Sequence, residues 1–218
     1  MEHTLSGVGV LDKAMAILAA TETAPATLAD LVERTGQSRA TAHRLAVALE
    51  TQGLLRRGAD GRFVLGTRLI ALGLLAAEAL PLEALARPVL TGLRDRTGES
   101  AQLYVREGDA RRCLVAVDSP HELRTIVAAG ALLPLGRGSA GRILSGADGG
   151  RSGWLETVGD REAGVASVSA PVRDSGGAVI AAISVSGPVE RIGKTPGDRH
   201  GTRVVAAAAD LEAALAQP

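Results

Sequence analysis

The chain has 218 residues; Lys plus Arg and Asp plus Glu each number 24, and 46% of the residues are hydrophobic against 22% charged. That length admits one large domain or two small ones, and the balance predicts a folded chain and excludes a uniformly basic one, though not a local basic patch. A single cysteine, Cys113, excludes an intramolecular disulfide framework and a cysteine-rich zinc site.

The first eighty residues read as mostly helical. Val10, Ala14, Ile17 and Leu18 recur at helical spacing, and Ala24-Pro25-Ala26 ends that segment. Thr27 is placed to cap a short helix running to Thr35, with Leu28, Leu31 and Val32 buried and Gly36 as its stop. Ser38 caps the next helix, which heads for Gln52 on an apolar face of Ala42, Leu45, Ala46 and Leu49. After Gly53 the period changes, and residues 54–57 and 62–65 predict a small hairpin around Ala59-Asp60-Gly61. Residues 67–79 are again helical in pattern and very apolar, until Pro81 breaks them. A domain boundary is expected near residue 80.

The second part mixes both periods. Residues 88–96 predict a helix with Pro88 in its first turn. Residues 101–106, 112–117 and 123–127 predict strands. A glycine cluster, Gly136 to Gly141, leads into a short helix ending near Ser145, and residues 147–153 read as loop. Residues 164–172 and 178–186 flank the turn Asp174-Ser175-Gly176-Gly177 and predict a hairpin. Residues 202–216 close the chain as a helix. Strands bracketed by helices predict an α+β domain. One Trp, one Tyr and one Phe leave the interior to Ala, Leu and Val. Two small cores of that kind make oligomerisation physically attractive.

The strongest functional pattern is helix, glycine turn, helix, basic hairpin within residues 27–66, which fits a helix-turn-helix followed by a wing. Outside its apolar face the helix from Ser38 carries Arg39, Thr41, His43 and Arg44. Ser38, Arg39 and Thr41 lie at the end where a recognition helix meets base edges. Between Arg34 and Arg68 there are seven arginines against Glu50 and Asp60, a net +5 inside a neutral chain. Arginine suits both phosphate and guanine, and Arg57 and Arg62 flank the wing turn, placed for phosphate or the minor groove.

These residues resemble the IclR family of bacterial transcription regulators. The matching segments are GVGVLDKAMAIL, ATLADLVERTG, SRATAHRLAVALETQGLL and DGRFVLG, with Thr41 to Leu45 the most specific stretch. The likeness continues through RPVLTGLRDRTGES and GVASVSAPVRDSGGAVIAAISVSGP and so covers nearly the whole chain. It looks closest to the NdgR-like subgroup of actinobacteria, which implies control of amino-acid biosynthesis, notably leucine.

The resemblance implies a winged helix-turn-helix over residues 1–66, a linker helix over 67–80, and a GAF-like effector-binding and oligomerisation domain over 81–218. Carried over by motif, the effector contacts fall on Gly138, Ser139 and Ala140, on Ser167 where the family often has Cys, and on Ser184 and Ser186. An acidic family position falls at Thr157 or Asp160. Ser184 and Ser186 are two apart on a predicted strand and so share a face. Backbone donors at the start of the short helix would suit a carboxylate, and Arg137 and Arg142 would attract an acid. The domain reads as shortened: roughly 30 or more residues of a family helical segment are replaced by the glycine-rich bridge 146–153.

Other chemistries find little footing. Gly136 to Gly141 matches GxGxxG, but without the long helix and acidic strand end of a dinucleotide fold. Cys113 lies in an apolar strand and reads as an inert buried thiol. No metal spacing appears, and neither a cofactor nor catalysis is expected. The longest uncharged runs, residues 69–77 and 177–189, fall short of the roughly 18 residues a membrane span needs. The acidic N-terminus does not read as a signal peptide, so a cytoplasmic location is expected.

The sequence thus predicts an effector-controlled regulator that binds a double-stranded DNA operator as a homodimer or dimer of dimers. Its effector would be a small carboxylic acid or amino acid. The alternative is a ligand-independent DNA-binding dimer whose shortened domain serves only assembly.

Overall fold

The computed structural model describes residues 7–79, 81–147 and 149–217; the expected domain limits at 1, 80 and 218 fall outside that set. The chain divides at residues 80/81 into two compact units.

In the first unit, α1 (Gly9–Glu22) buries Ile17 and Leu18, whereas Val10, expected on the same face, is exposed. Helix α2 (Leu28–Thr35) opens on a reciprocal cap: Thr27 Oγ1 accepts the Asp30 N–H at 3.2 Å, and the Asp30 carboxylate accepts the Thr27 N–H at 2.8 Å. Gly36 ends it at φ 66°, a backbone region that side chains with a Cβ disfavour. Helix α3 (Arg39–Thr51) starts from Ser38, whose hydroxyl accepts the Thr41 N–H, and it buries the expected Ala42, Leu45, Ala46 and Leu49.

Strands β1 (Leu55–Arg57) and β2 (Phe63–Leu65) pair antiparallel. Phe63 also exchanges both backbone hydrogen bonds with Ala26, at 2.8 and 2.9 Å, so the hairpin is fastened to the segment between α1 and α2. The Phe63 ring, fully buried, joins Ile17, Leu31, Leu45 and Leu55 in one core. Helix α4 (Thr67–Ala79) follows directly, with Arg68 Nη1 donating to the Gln52 carbonyl at 3.1 Å. Its Ile70, Leu72, Leu74 and Leu75 are exposed.

The second unit starts with α5 (Leu82–Thr97), which begins earlier than the sequence pattern indicates and carries Pro88 in its interior rather than its first turn. Pro88 has no N–H to return to the preceding turn. The helix persists across it because Leu82, Ala86, Leu90 and Leu93 form a fully buried stripe. The two expected strands are β3 (Ser100–Glu107) and β4 (Ala110–Val117), which pair antiparallel as a hairpin. The strand expected at residues 123–127 is irregular; Thr125 and Val127 turn inward, but the next strand is β5 (Leu132–Pro134).

Helix α6 (Gly138–Leu144) is followed by a single 3-10 turn, Gly150–Ser152, inside the expected loop, and then by β6 (Leu155–Val158), which the sequence reading did not anticipate. Strands β7 (Val165–Arg173) and β8 (Val179–Pro188) make the long hairpin. A short α7 (Val189–Ile192) precedes α8 (Pro196–Leu215), which starts six residues ahead of the predicted helix at 202.

The six strands form one antiparallel sheet in the order β5-β4-β3-β8-β7-β6. Alternation sorts its side chains. Ala101, Leu103, Val168, Ala170, Ile183 and Val185 pack with α5 and α8 in the larger core. The opposite face, under α6, carries small polar residues, with Tyr104, Cys113 and Ala182 packed against Ala140, Ile143 and Leu144. Arg191 closes the unit's rim with a bidentate pair to buried Glu99, at 2.6 and 2.7 Å.

Candidate functional site

Two regions hold the residues singled out from the sequence. On α3, Arg39, His43 and Arg44 are exposed opposite the buried Leu45/Leu49 face. Ser38 and Thr41 sit at the helix start and bond each other, hydroxyl to hydroxyl, at 3.0 Å. On the hairpin, Arg57 and Arg62 are exposed but already engaged. Arg57 lies 3.6 Å over the Phe63 ring centroid, donates to the Gly61 carbonyl at 2.9 Å and faces Glu50 at 3.6 Å. Arg62 pairs with Asp60 at 3.3 Å. Two further arginines of the basic stretch serve the fold: Arg34 donates to the Ala20 carbonyl at 2.7 Å, and Arg68 to Gln52. Arg39 and Arg44 thus present their charge on the exposed face of α3, while Arg57 and Arg62 also brace the hairpin.

The second region lies between α6 and the polar face of the sheet. Gly138, Ser139, Ala140, Ser167, Ser184 and Ser186 all line one cavity there. Register explains the convergence. Ser167 lies opposite Thr157 on β6 and opposite Ser186 on β8, and Ser169 lies opposite Ser184. Ser139 Oγ then reaches down from α6 to Ser167 Oγ at 2.8 Å and Ser169 Oγ at 2.7 Å, and Thr157 joins Ser167 at 3.1 Å. The cavity's volume is about 20 Å³, room for about one water-sized occupant.

Five other residues complete the wall: Tyr104, Arg111, Thr157, Arg161 and Val165. The two arginines were missed by sequence reasoning, which looked instead to Arg137 and Arg142. Neither of those lines the cavity; Arg142 is exposed and pairs with Asp160 at 3.1 Å. Asp160 also accepts the Gly138 N–H at 2.8 Å, so at that position the backbone donor expected to meet an effector is taken by the chain's own carboxylate. Of the two positions suggested for the acidic family residue, Thr157 faces the cavity and Asp160 caps α6.

Arg111 is only 2% exposed. Its Nη1 donates to the carbonyls of Pro134 and Arg137, and its guanidinium lies 5.2 Å from the Tyr104 ring centroid. Burial lowers its pKa from the ordinary arginine range, with Tyr104 opposing and Arg161 reinforcing that shift. Burial likewise raises the Tyr104 hydroxyl and pushes the Cys113 thiol up to about 12. Among the described residues no group of three His, Cys, Asp or Glu is placed to hold a metal ion, and no single helix is long and apolar enough to cross a membrane.

The architecture is that of a helix-turn-helix protein with a separate α+β domain. Residues 10–59 match the IclR helix-turn-helix domain, and residues 75–150 and 147–213 match the C-terminal domain of the bacterial transcriptional regulator IclR. The chain belongs to the IclR family of transcriptional regulators. The two C-terminal segments meet in the glycine-rich bridge after α6.

The glycerol operon regulatory protein of Streptomyces griseus is 28% identical over 87% of both chains. The regulator KipR of Bacillus subtilis is 32% identical over 54% of this chain, a match spanning about half (47%) of the Bacillus protein. An IclR homologue from Microbacterium hydrocarbonoxydans, solved with 4-hydroxybenzoate, has the same fold: TM-score 0.79 at 24% identity, over 94% of this chain and 98% of that one.

Proposed function

We propose that this protein is a cytoplasmic, sequence-specific DNA-binding regulator whose hold on its operator is set by a small acid in the serine-lined cavity. The observation that carries the DNA part is the exposed Arg39, His43 and Arg44 face of α3, opposite a fully formed core. A homodimer or dimer of dimers would present two such faces to a two-fold operator. The exposed apolar residues of α4 favour a partner, since soluble chains seldom leave such a stripe in water. The acid effector draws support from the relative that binds 4-hydroxybenzoate. The likeness to NdgR-like regulators makes amino-acid biosynthesis genes, leucine's among them, the first promoters to test.

The second reading, a ligand-independent dimer, is favoured by one observation: the cavity's small volume of about 20 Å³. The DNA reading is tested by Arg39→Ala combined with Arg44→Ala. A good bidentate arginine–base contact is worth about 1–3 kcal/mol of discrimination, so the pair is expected to weaken operator binding at least tenfold while the helical circular dichroism is unchanged. Unaltered operator affinity would displace the recognition surface from α3.

A further inference from the structure

The outer face of α3 sets one cation among apolar side chains. Ala42, Leu45, Ala46 and Leu49 are buried. At about 100° per residue, the residues most nearly opposite them are Ala40, Arg44, Val47 and Thr51. All four are exposed, Val47 by 39%. Arg39 and His43 lie on one flank of this stripe, on the side of Glu50. The steps from Ala40 to His43, Arg44 and Val47 are three, one and three residues, the spacing of a helix lying along the major groove. The net +5 between Arg34 and Arg68 suits that face to DNA.

The polar groups on and beside the stripe are few, and most are already engaged. Thr51 Oγ1 donates to the Val47 carbonyl at 3.0 Å. Helix α3 contains no Asn or Gln, and its one acid, Glu50, faces Arg57. The carboxamides at its two ends are each half-used: Gln37 Nε2 donates to the Lys13 carbonyl at 3.0 Å, and Gln52 Oε1 accepts from Arg68 at 3.1 Å. The Arg44 guanidinium makes no hydrogen bond or ion pair to a described residue.

Adenine is read in the major groove by an amide that donates and accepts at once, and cytosine by a carboxylate. This face offers neither. It offers a free guanidinium, which suits the O6 and N7 acceptors of guanine, between side-chain methyls, which suit the C5 methyl of thymine.

We infer that α3 selects its operator by methyl recognition: Val47 and Ala40 pack on thymine methyls on either side of a guanine held by Arg44. This rests on reading α3 as the recognition helix, and it names the base chemistry that helix meets. Ala40 and Val47 lie about 6 and 4.5 Å along the helix axis from Arg44. With base pairs about 3.4 Å apart, both thymines fall within about two base pairs of the guanine.

The test starts from duplexes that the full-length protein selects out of random DNA. Their shared half-site is expected to hold a guanine with an A·T pair on each side of it. Replacing either thymine by uracil removes only the methyl, and each replacement is expected to weaken binding about fourfold, the worth of one buried methyl. Val47→Ala is expected to bind the thymine duplex several-fold more weakly and to ignore uracil at one of the two positions. The guanine is expected to drop out of the sites that Arg44→Ala selects.

Equal affinity for thymine and uracil duplexes, or a full uracil response by Val47→Ala at both positions, would overturn methyl recognition and leave α3 reading DNA by other contacts. A guanine retained in the sites of Arg44→Ala would overturn the assignment of that base. Failure to enrich any sequence would overturn the inference and the sequence-specific DNA reading together.

Discussion

Trp154 shows how one side chain hides an element from the sequence. Its ring lies against Gly197 and Gly201 on α8, where a Cβ at either glycine would collide with it. Those glycines and Pro196 look like helix breakers in a sequence, so the predicted helix starts at residue 202. In the fold they are the first turns of α8, kept bare for the indole. Gly201→Ala would improve helix propensity but overpack this contact; a net loss of about 1–3 kcal/mol is expected in chemical denaturation. A gain in stability would mean the ring has room to move.

His200 on the same helix is only 4% exposed and its Nδ1 has no partner among the described residues. Burial, with Arg199 and Arg203 nearby, lowers its pKa below the ordinary 6.5, against a smaller opposing effect of Glu99. The unfolded chain then binds a proton that the folded chain resists. Stability is therefore full above about pH 6.5 and falls as pH drops from there toward the folded-state pKa. Urea midpoints at pH 7.5 and 5.5 should show this loss, and His200→Gln should lose less over the same interval. Equal losses would place the acid sensitivity elsewhere.

At the scale of elements, the helix-turn-helix was legible because its signals are local. Thr27, Gly36 and Ser38 mark the ends of α2 and α3 by chemistry that acts within a turn, and all three do so in the structure. Removing one is measurable: Thr27→Ala should cost about 1 kcal/mol through the lost cap. No loss of stability would show that Asp30 and water replace it.

The sheet of the second unit was less legible. β6 is only Leu155–Val158, and its alternation is too brief to register; it is made by pairing with β7, a contact that sequence does not display. The segment 123–127 errs the other way, with inward Thr125 and Val127 at strand spacing but no ladder. The cavity divides similarly. Ser184 and Ser186 share a face by period alone, whereas Arg111 needs the fold to bring β4 under α6. Its one sequence signal was a charge two residues from Cys113 on an inward-facing strand.

For the whole molecule, a neutral chain concentrates a net +5 between Arg34 and Arg68 and two buried or half-buried arginines in a cavity of the other unit. On the proposed function these placements serve two anions of different size, a DNA backbone and a small acid, and linkage then makes the coupling between them reciprocal. An acid that weakens operator binding must itself bind more weakly to the DNA-bound protein.

The most direct measurement is binding of the full-length protein to its own promoter DNA and to scrambled DNA, at two salt concentrations, with and without a panel of small acids. The account predicts a preference for the promoter, an affinity that falls as salt rises because phosphate contacts release counterions, and a shift of promoter affinity by one of the acids. Equal binding to both DNAs, or an affinity indifferent to salt, would contradict it.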